Sequence, residues 1–154
     1  MKLIAAEILC VVFAVVFIYF TVFAGNSSDA LPSEIAASVS SVVDTADLIK
    51  RDNSFVKKTF GFDPEQFECY DYYSSDNVMD VRELLCIRLS DPSDRDVLTT
   101  LGTYVDDRYN IFASYAPREA ELLENKVLLQ KGCLIFLYIG PDSDAARNSF
   151  LQSL

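Results

Sequence analysis

The chain reads as an α+β domain, an antiparallel sheet of two hairpins packed against helices, standing behind an N-terminal transmembrane helix. Three observations predict this. Two pairs of segments, Phe67–Tyr73 with Glu83–Leu89 and Lys126–Gln130 with Cys133–Ile139, are rich in branched and aromatic residues and flank polar turns. Each pair is followed by segments whose apolar residues recur at helical spacing. Ahead of them, every residue from Ile8 to Ala24 except Thr21 is apolar.

That first run amounts to roughly 25 Å of helix, or about 33 Å if counted from Leu3. A hydrocarbon core of roughly 30 Å is within its reach. It divides the chain into a transmembrane anchor over 1–25, a linker over 26–31 and an extracytoplasmic domain over 32–154. Val22-Phe23-Ala24 also suits signal cleavage, but the run is longer than most signal cores, so it reads as an uncleaved anchor. A lipoprotein reading through Cys10 fails, because Glu7, Ile8 and Leu9 stand where small residues are needed. Lys2 on the short side, against Asp29 and Glu34 on the other, puts the N-terminus in the cytoplasm and the domain outside.

Pro32 to Lys50 carries Ile35, Val39, Val42, Val43, Ala46 and Ile49 at the spacing of one helix. Pro32 suits its first turn and Glu34 its positive dipole end. Asp63-Pro64 marks a turn, and the first hairpin turns through Ser74-Ser75-Asp76-Asn77. Asp91-Pro92-Ser93-Asp94 opens the next helix, whose stripe is Val97, Leu98, Leu101, Tyr104, Val105 and Phe112. A short helix follows Pro117, over Arg118–Glu124. The second hairpin turns near Lys131-Gly132, and Leu134–Ile139, apolar on both faces, has the look of a central strand. Asp142–Leu151 forms the last helix.

Lys2 and Glu7 are the only charges in the first 25 residues, so the outer domain keeps 12 bases and 22 acids of the chain's 13 and 23. A net charge of −10 repels phosphate backbones, and nucleic acid is not an expected partner. Lys50, Arg51, Lys57 and Lys58 form the one local positive cluster and read as a solvated helix end and loop. Cys69, Cys86 and Cys133 fall in apolar runs and read as buried thiols in strands, with a Cys69–Cys86 bridge left open.

No histidine is present, which removes the commonest general base and most zinc sites. The nucleophile elbow, the phosphate-binding loop and the dinucleotide fingerprint are absent too. Asp91–Asp96 lacks the glycine and the twelfth-position acid of a calcium loop. No cofactor or metal is expected.

Two charged residues fall on faces that should be apolar. Glu83 alternates with Leu85, Ile87 and Leu89, and Arg108 lies one turn from Leu101, Tyr104, Val105 and Phe112. An unpaired charge inside costs several kcal/mol. The two are therefore expected to pair and to fix how helix crosses hairpin, or else to build a ligand pocket between them. Tyr70, Tyr72 and Tyr73 are candidate binding-surface aromatics, against the plainer reading of core or sheet face.

The order of Phe60-Gly61-Phe62-Asp63, Glu83–Leu89, Arg108, Ser114–Glu119 and Lys131-Gly132 resembles the bacterial family of domains of unknown function numbered 4358. The resemblance covers about 47–150. It implies a membrane-anchored or lipoprotein-like extracytoplasmic protein, and an acid and an arginine where Glu83 and Arg108 stand. It implies no activity, substrate or cofactor. The tyrosine-rich first strand, the cysteines and the long anchor depart from the family pattern.

Together these readings lead to an envelope domain that binds a small ligand or another envelope protein. The alternative is a small enzyme using carboxylates on carbohydrate or cell-wall polymer.

Overall fold

A computed structural model describes residues 29–154, so the transmembrane helix expected over 1–25 and the first half of the expected linker lie outside the described residues. Among the described residues no helix is long and apolar enough to cross a membrane. The elements run α1 (Pro32–Ser40), β1 (Leu48–Lys50), α2 (Asn53–Phe60), a 3-10 turn (Pro64–Gln66), β2 (Phe67–Ser75) and β3 (Glu83–Leu89). They continue with α3 (Asp96–Phe112), α4 (Pro117–Glu124), β4 (Val127–Lys131), β5 (Leu134–Ile139) and α5 (Ser143–Gln152).

The five strands form one antiparallel sheet in the order β1-β2-β3-β5-β4. The two hairpins join through β3 and β5, with Glu83 opposite Ile139 and Arg88 opposite Leu134. Every residue of these two strands is buried, which follows from the apolar run of β5 and from a β3 that is apolar between Glu83 and Arg88. On one face Leu85, Ile87, Ile135 and Leu137 pack against Val56 and Phe60 of α2, Leu101 and Val105 of α3, and Leu123 of α4. On the other, Leu84, Cys86, Phe136 and Tyr138 meet Ile35 and Val39 of α1 and Phe150 of α5. Phe136 and Phe150 stack with ring centroids 4.6 Å apart. Each such side chain contributes about 1.5–3 kcal/mol on burial, so the two apolar layers hold the helices to the sheet.

The helix expected over Pro32–Lys50 is only half there. It ends at Ser40, where the Ser41 amide donates to Ala37 and Ser38 carbonyls and the Ser41 hydroxyl to the Ser38 carbonyl. Asp44 then accepts from the Ala46 amide, a side-chain turn that competes with helix. Leu48–Lys50 pairs instead with the edge of β2, supplying partners for its open backbone groups. Val42 and Ile49, placed on the helical stripe, are 51% and 47% exposed.

Helix α2 was not read from the sequence, although both its ends carry signals. Asp52 accepts from the Phe55 amide at 2.8 Å, and Gly61 closes the helix at φ 76°, a left-handed conformation that glycine adopts without strain. Helix α3 starts later than expected, because Asp91 spends its carboxylate on the Ser93 amide and hydroxyl; Asp94 then accepts from the Asp96 amide. Among the described residues Cys69, Cys86 and Cys133 are free. Cys86 is buried in β3, opposite Asp71 and not Cys69, while Cys133 sits in the β4–β5 turn and not in a strand.

One tight spot closes the end of β5. The Tyr138 hydroxyl donates to the Pro141 carbonyl at 2.7 Å and lies over Gly140, where a Cβ would stand 2.6 Å from the tyrosine oxygen. Gly140→Ala should therefore lose about 1–3 kcal/mol in urea unfolding, through overpacking. Combining it with Tyr138→Phe should return part of that loss. A Gly140→Ala chain as stable as wild type would show that the ring swings aside freely.

Candidate functional site

The sequence singled out Glu83 and Arg108, and the fold brings them together. Glu83 is the first residue of β3, on the face that α3 crosses. Tyr104 and Arg108 lie four residues apart on α3, hence on one side of that helix, one turn apart. Arg108 Nη1 donates to Glu83 Oε1, and the Tyr104 hydroxyl donates to the same oxygen at 2.7 Å. Arg108 Nη1 and the Tyr104 hydroxyl are 2.8 Å apart, closing a triangle. The Arg108 guanidinium also rests 5.5 Å from the Tyr104 ring centroid and 5.8 Å from that of Phe112.

These groups form the floor of a cleft of about 340 Å³. Phe55 and Thr59 of α2 make one wall, Tyr72 and Ser74 of β2 another, and Asp76, Val78 and Asp80 of the β2–β3 loop form the rim. Arg51 closes one side. Its side chain donates to the Ser74 hydroxyl at 2.8 Å and the Ser75 carbonyl at 2.7 Å, reaches Asp76 at 3.3 Å, and stacks 4.3 Å above the Phe55 ring. The rest of the expected positive cluster is solvated: Lys57 and Lys58 are exposed. Arg51 is the exception, because the serines and aspartate of the first hairpin turn collect its guanidinium.

The floor is unevenly satisfied. Glu83 is 3% exposed, and its second oxygen, Oε2, has no hydrogen-bond partner. Burial raises the Glu83 carboxyl above its ordinary range, while Arg108, Tyr104 and Tyr72 oppose that rise. Burial also raises the Tyr72 and Tyr104 hydroxyls. At the rim the balance is reversed. Burial alone would raise Asp80, but hydrogen bonds from Arg82 outweigh it and hold the carboxyl below its ordinary range. Both Asp80 oxygens accept from Arg82, at 2.7–3.0 Å.

Asp71 Oδ2 is likewise buried without a hydrogen bond. Its other oxygen meets Lys50, whose side chain is 60% exposed and whose three rotating donors can serve either oxygen. Glu83 instead faces Arg108, Tyr104 and the Tyr72 hydroxyl, all set in the packed interior. A larger hollow of about 630 Å³ adjoins the cleft and shares Asp80 with it, lying among Asp44, Arg82, Arg118, Glu119 and Asp142. None of the buried unpaired atoms among the described residues lines it.

The three candidate tyrosines do not share a surface, because strand side chains alternate. Tyr72 is 1% exposed and belongs to the core beneath the cleft. Tyr70 is half-buried on the same face, its hydroxyl donating to Asn53 Oδ1. Tyr73 is half-buried on the opposite face beneath Lys50, whose ammonium is 5.8 Å from the ring centroid. No group of histidine, cysteine or carboxylate side chains among the described residues has the arrangement to hold a metal ion.

Residues 41–140 match the model of one protein family, described as Domain of unknown function (DUF4358). The match takes in all five strands and α2 to α4, so it contains the whole cleft; α1, and α5 across the other face from the cleft, fall outside it. No curated protein and no solved structure matches the chain.

Removing one member of the buried pair should cost far more than removing both. Glu83→Ala should lose about 3–5 kcal/mol in denaturant unfolding, whereas Glu83→Leu combined with Arg108→Met should recover most of that loss. The raised carboxyl also sets a pH dependence. A folded pKa above the unfolded one contributes stability that is full below the unfolded value and lost as pH rises through the folded value. Wild type should thus be more stable, relative to Glu83→Gln, near pH 4 than near pH 8. A constant difference across that window would contradict the burial argument.

Proposed function

The chain belongs to this family of domains of unknown function, and on that premise we propose that it is a membrane-tethered, outward-facing binding module. Its cleft over Glu83 receives a small polar ligand, or a single polar side chain of an envelope protein. The apolar run ending at Ala24 supports the tether, and the single lysine on its short side supports the outward orientation.

The observation that carries the binding reading is the unpaired Oε2 of Glu83. A buried acceptor without a donor costs about 1–3 kcal/mol, more for a charged group. Oε2 is closed off beneath the floor, so a ligand reaches it by displacing a floor side chain, and one that then brings a hydroxyl, amide or ammonium hydrogen to that oxygen removes the cost on binding. The cleft is of the right kind for it: about 340 Å³ is at the small end of ligand pockets, with aromatic walls and a few converging polar groups. Val78, 86% exposed, stands at its mouth.

One observation favours a second reading, an enzyme working on carbohydrate or wall polymer. Glu83 and Asp80 line one cleft with their carboxyls displaced in opposite directions, the pattern of an acid and a base. It ranks below binding because Arg82 occupies both oxygens of Asp80.

Thermal unfolding of the full-length protein, against a panel of simple sugars, amides and primary amines, tests the leading reading. A ligand at 100 times its Kd adds about 2.7 kcal/mol, or about 5–10 °C in Tm. At least one donor-bearing compound should reach this, and Val78→Trp, which blocks the mouth, should abolish the gain. A flat response across the panel, or a gain that survives Val78→Trp, would remove the cleft from the function.

A further inference from the structure

The direction of the cleft follows from where the chain enters the domain. The sheet has two ends. At one, the Arg88 guanidinium donates to the Ala30 carbonyl, and Ala30 packs against the core face shared by α1 and α5. Leu89 and the Cys133 carbonyl meet at that same end, beside the β4–β5 turn. From there α1 runs along the sheet, and the segment after it delivers Asp44 and Asp47 to the opposite end, where Asp47 pairs with Arg82. The Glu83 cleft opens at that opposite end, because Glu83 begins β3 and Arg88 nearly finishes it. Five strand steps separate the two residues, about 17 Å along β3.

The entry end cannot lie far from the apolar run. Only residues 25–29 stand between Ala24 and Ala30, and the six fully extended steps span at most about 22 Å.

We propose that the domain stands on its entry end and presents the Glu83 cleft on the pole away from the bilayer. The ligand then arrives from the aqueous side of the envelope, as a soluble molecule or a surface of a protein or polymer beyond the membrane. A lipid headgroup and the flank of a neighbouring transmembrane helix are both on the wrong side. This inference rests on the tethered reading given above.

Full-length protein reconstituted into lipid vesicles tests it, with a donor dye on a clickable residue introduced at position 131, in the β4–β5 hairpin, or at position 77, in the β2–β3 loop. Acceptor dyes are carried on lipid headgroups. Transfer from position 131 should exceed that from position 77 several-fold. Equal transfer, or stronger transfer from position 77, in protein that floats with the vesicles overturns the orientation and leaves the tether standing. Protein that fails to float overturns the tether, and the orientation with it.

Discussion

Strands β3 and β5 lie side by side with every residue buried, so water can reach neither face of the middle of the sheet. Both faces must then be covered by helices, and the chain supplies α1 and α5 on one and α2, α3 and α4 on the other. Everything polar in those strands has to be accommodated at their ends, where loops and helix flanks are within reach. Glu83 at one end and Arg88 at the other are the two charged residues the strands carry. Each therefore becomes an anchor point, Glu83 for α3 and Arg88 for the segment entering α1.

The pair formed by Glu83 and Arg108 is a poor device for stability alone. Apolar residues of similar volume would hold α3 to the sheet at least as well, because an ion pair must offset the loss of hydration. Its effect is geometric. A charge on each element admits one crossing, with Tyr104 sharing the same oxygen. The hydrogen bonds gather on Oε1 and leave Oε2 buried beneath the cleft without one. Arg51 completes the arrangement from the other wall, drawn in by the polar turn of the first hairpin.

Some of this was legible in the residues and some was not. Glu83 and Arg108 stood out because each broke an apolar pattern, and a broken pattern implies a partner whatever the fold. The helix expected over Pro32–Lys50 stops short although its apolar spacing continues past Ser41, and the Asp44 side-chain turn that follows leaves no mark on periodicity. Helix α2 has only Val56 and Phe60 fully buried, too short a stripe to register, though Asp52 and Gly61 mark its limits. The tyrosines cluster in sequence but divide between two faces, which alternation alone should have foreseen. Arg51 and Asp80 gave no signal as cleft residues, since each looks like an ordinary surface charge until the hairpin turn is folded beside it.

The residues by themselves determined the apolar run at the N-terminus, the strand character of Glu83–Leu89 and Leu134–Ile139, and the acid and base that needed company. These are statements about how each side chain relates to water, and burial preference is a local property that patterning records. Only the tertiary structure decided that the two hairpins join through β3 and β5, that Leu48–Lys50 leaves helix for the sheet edge, and that a cleft opens over an unpaired carboxylate oxygen. Those depend on which elements become neighbours across long stretches of chain. No local pattern names a partner, because the same apolar face packs acceptably against many others until backbone pairing and the buried charges select one.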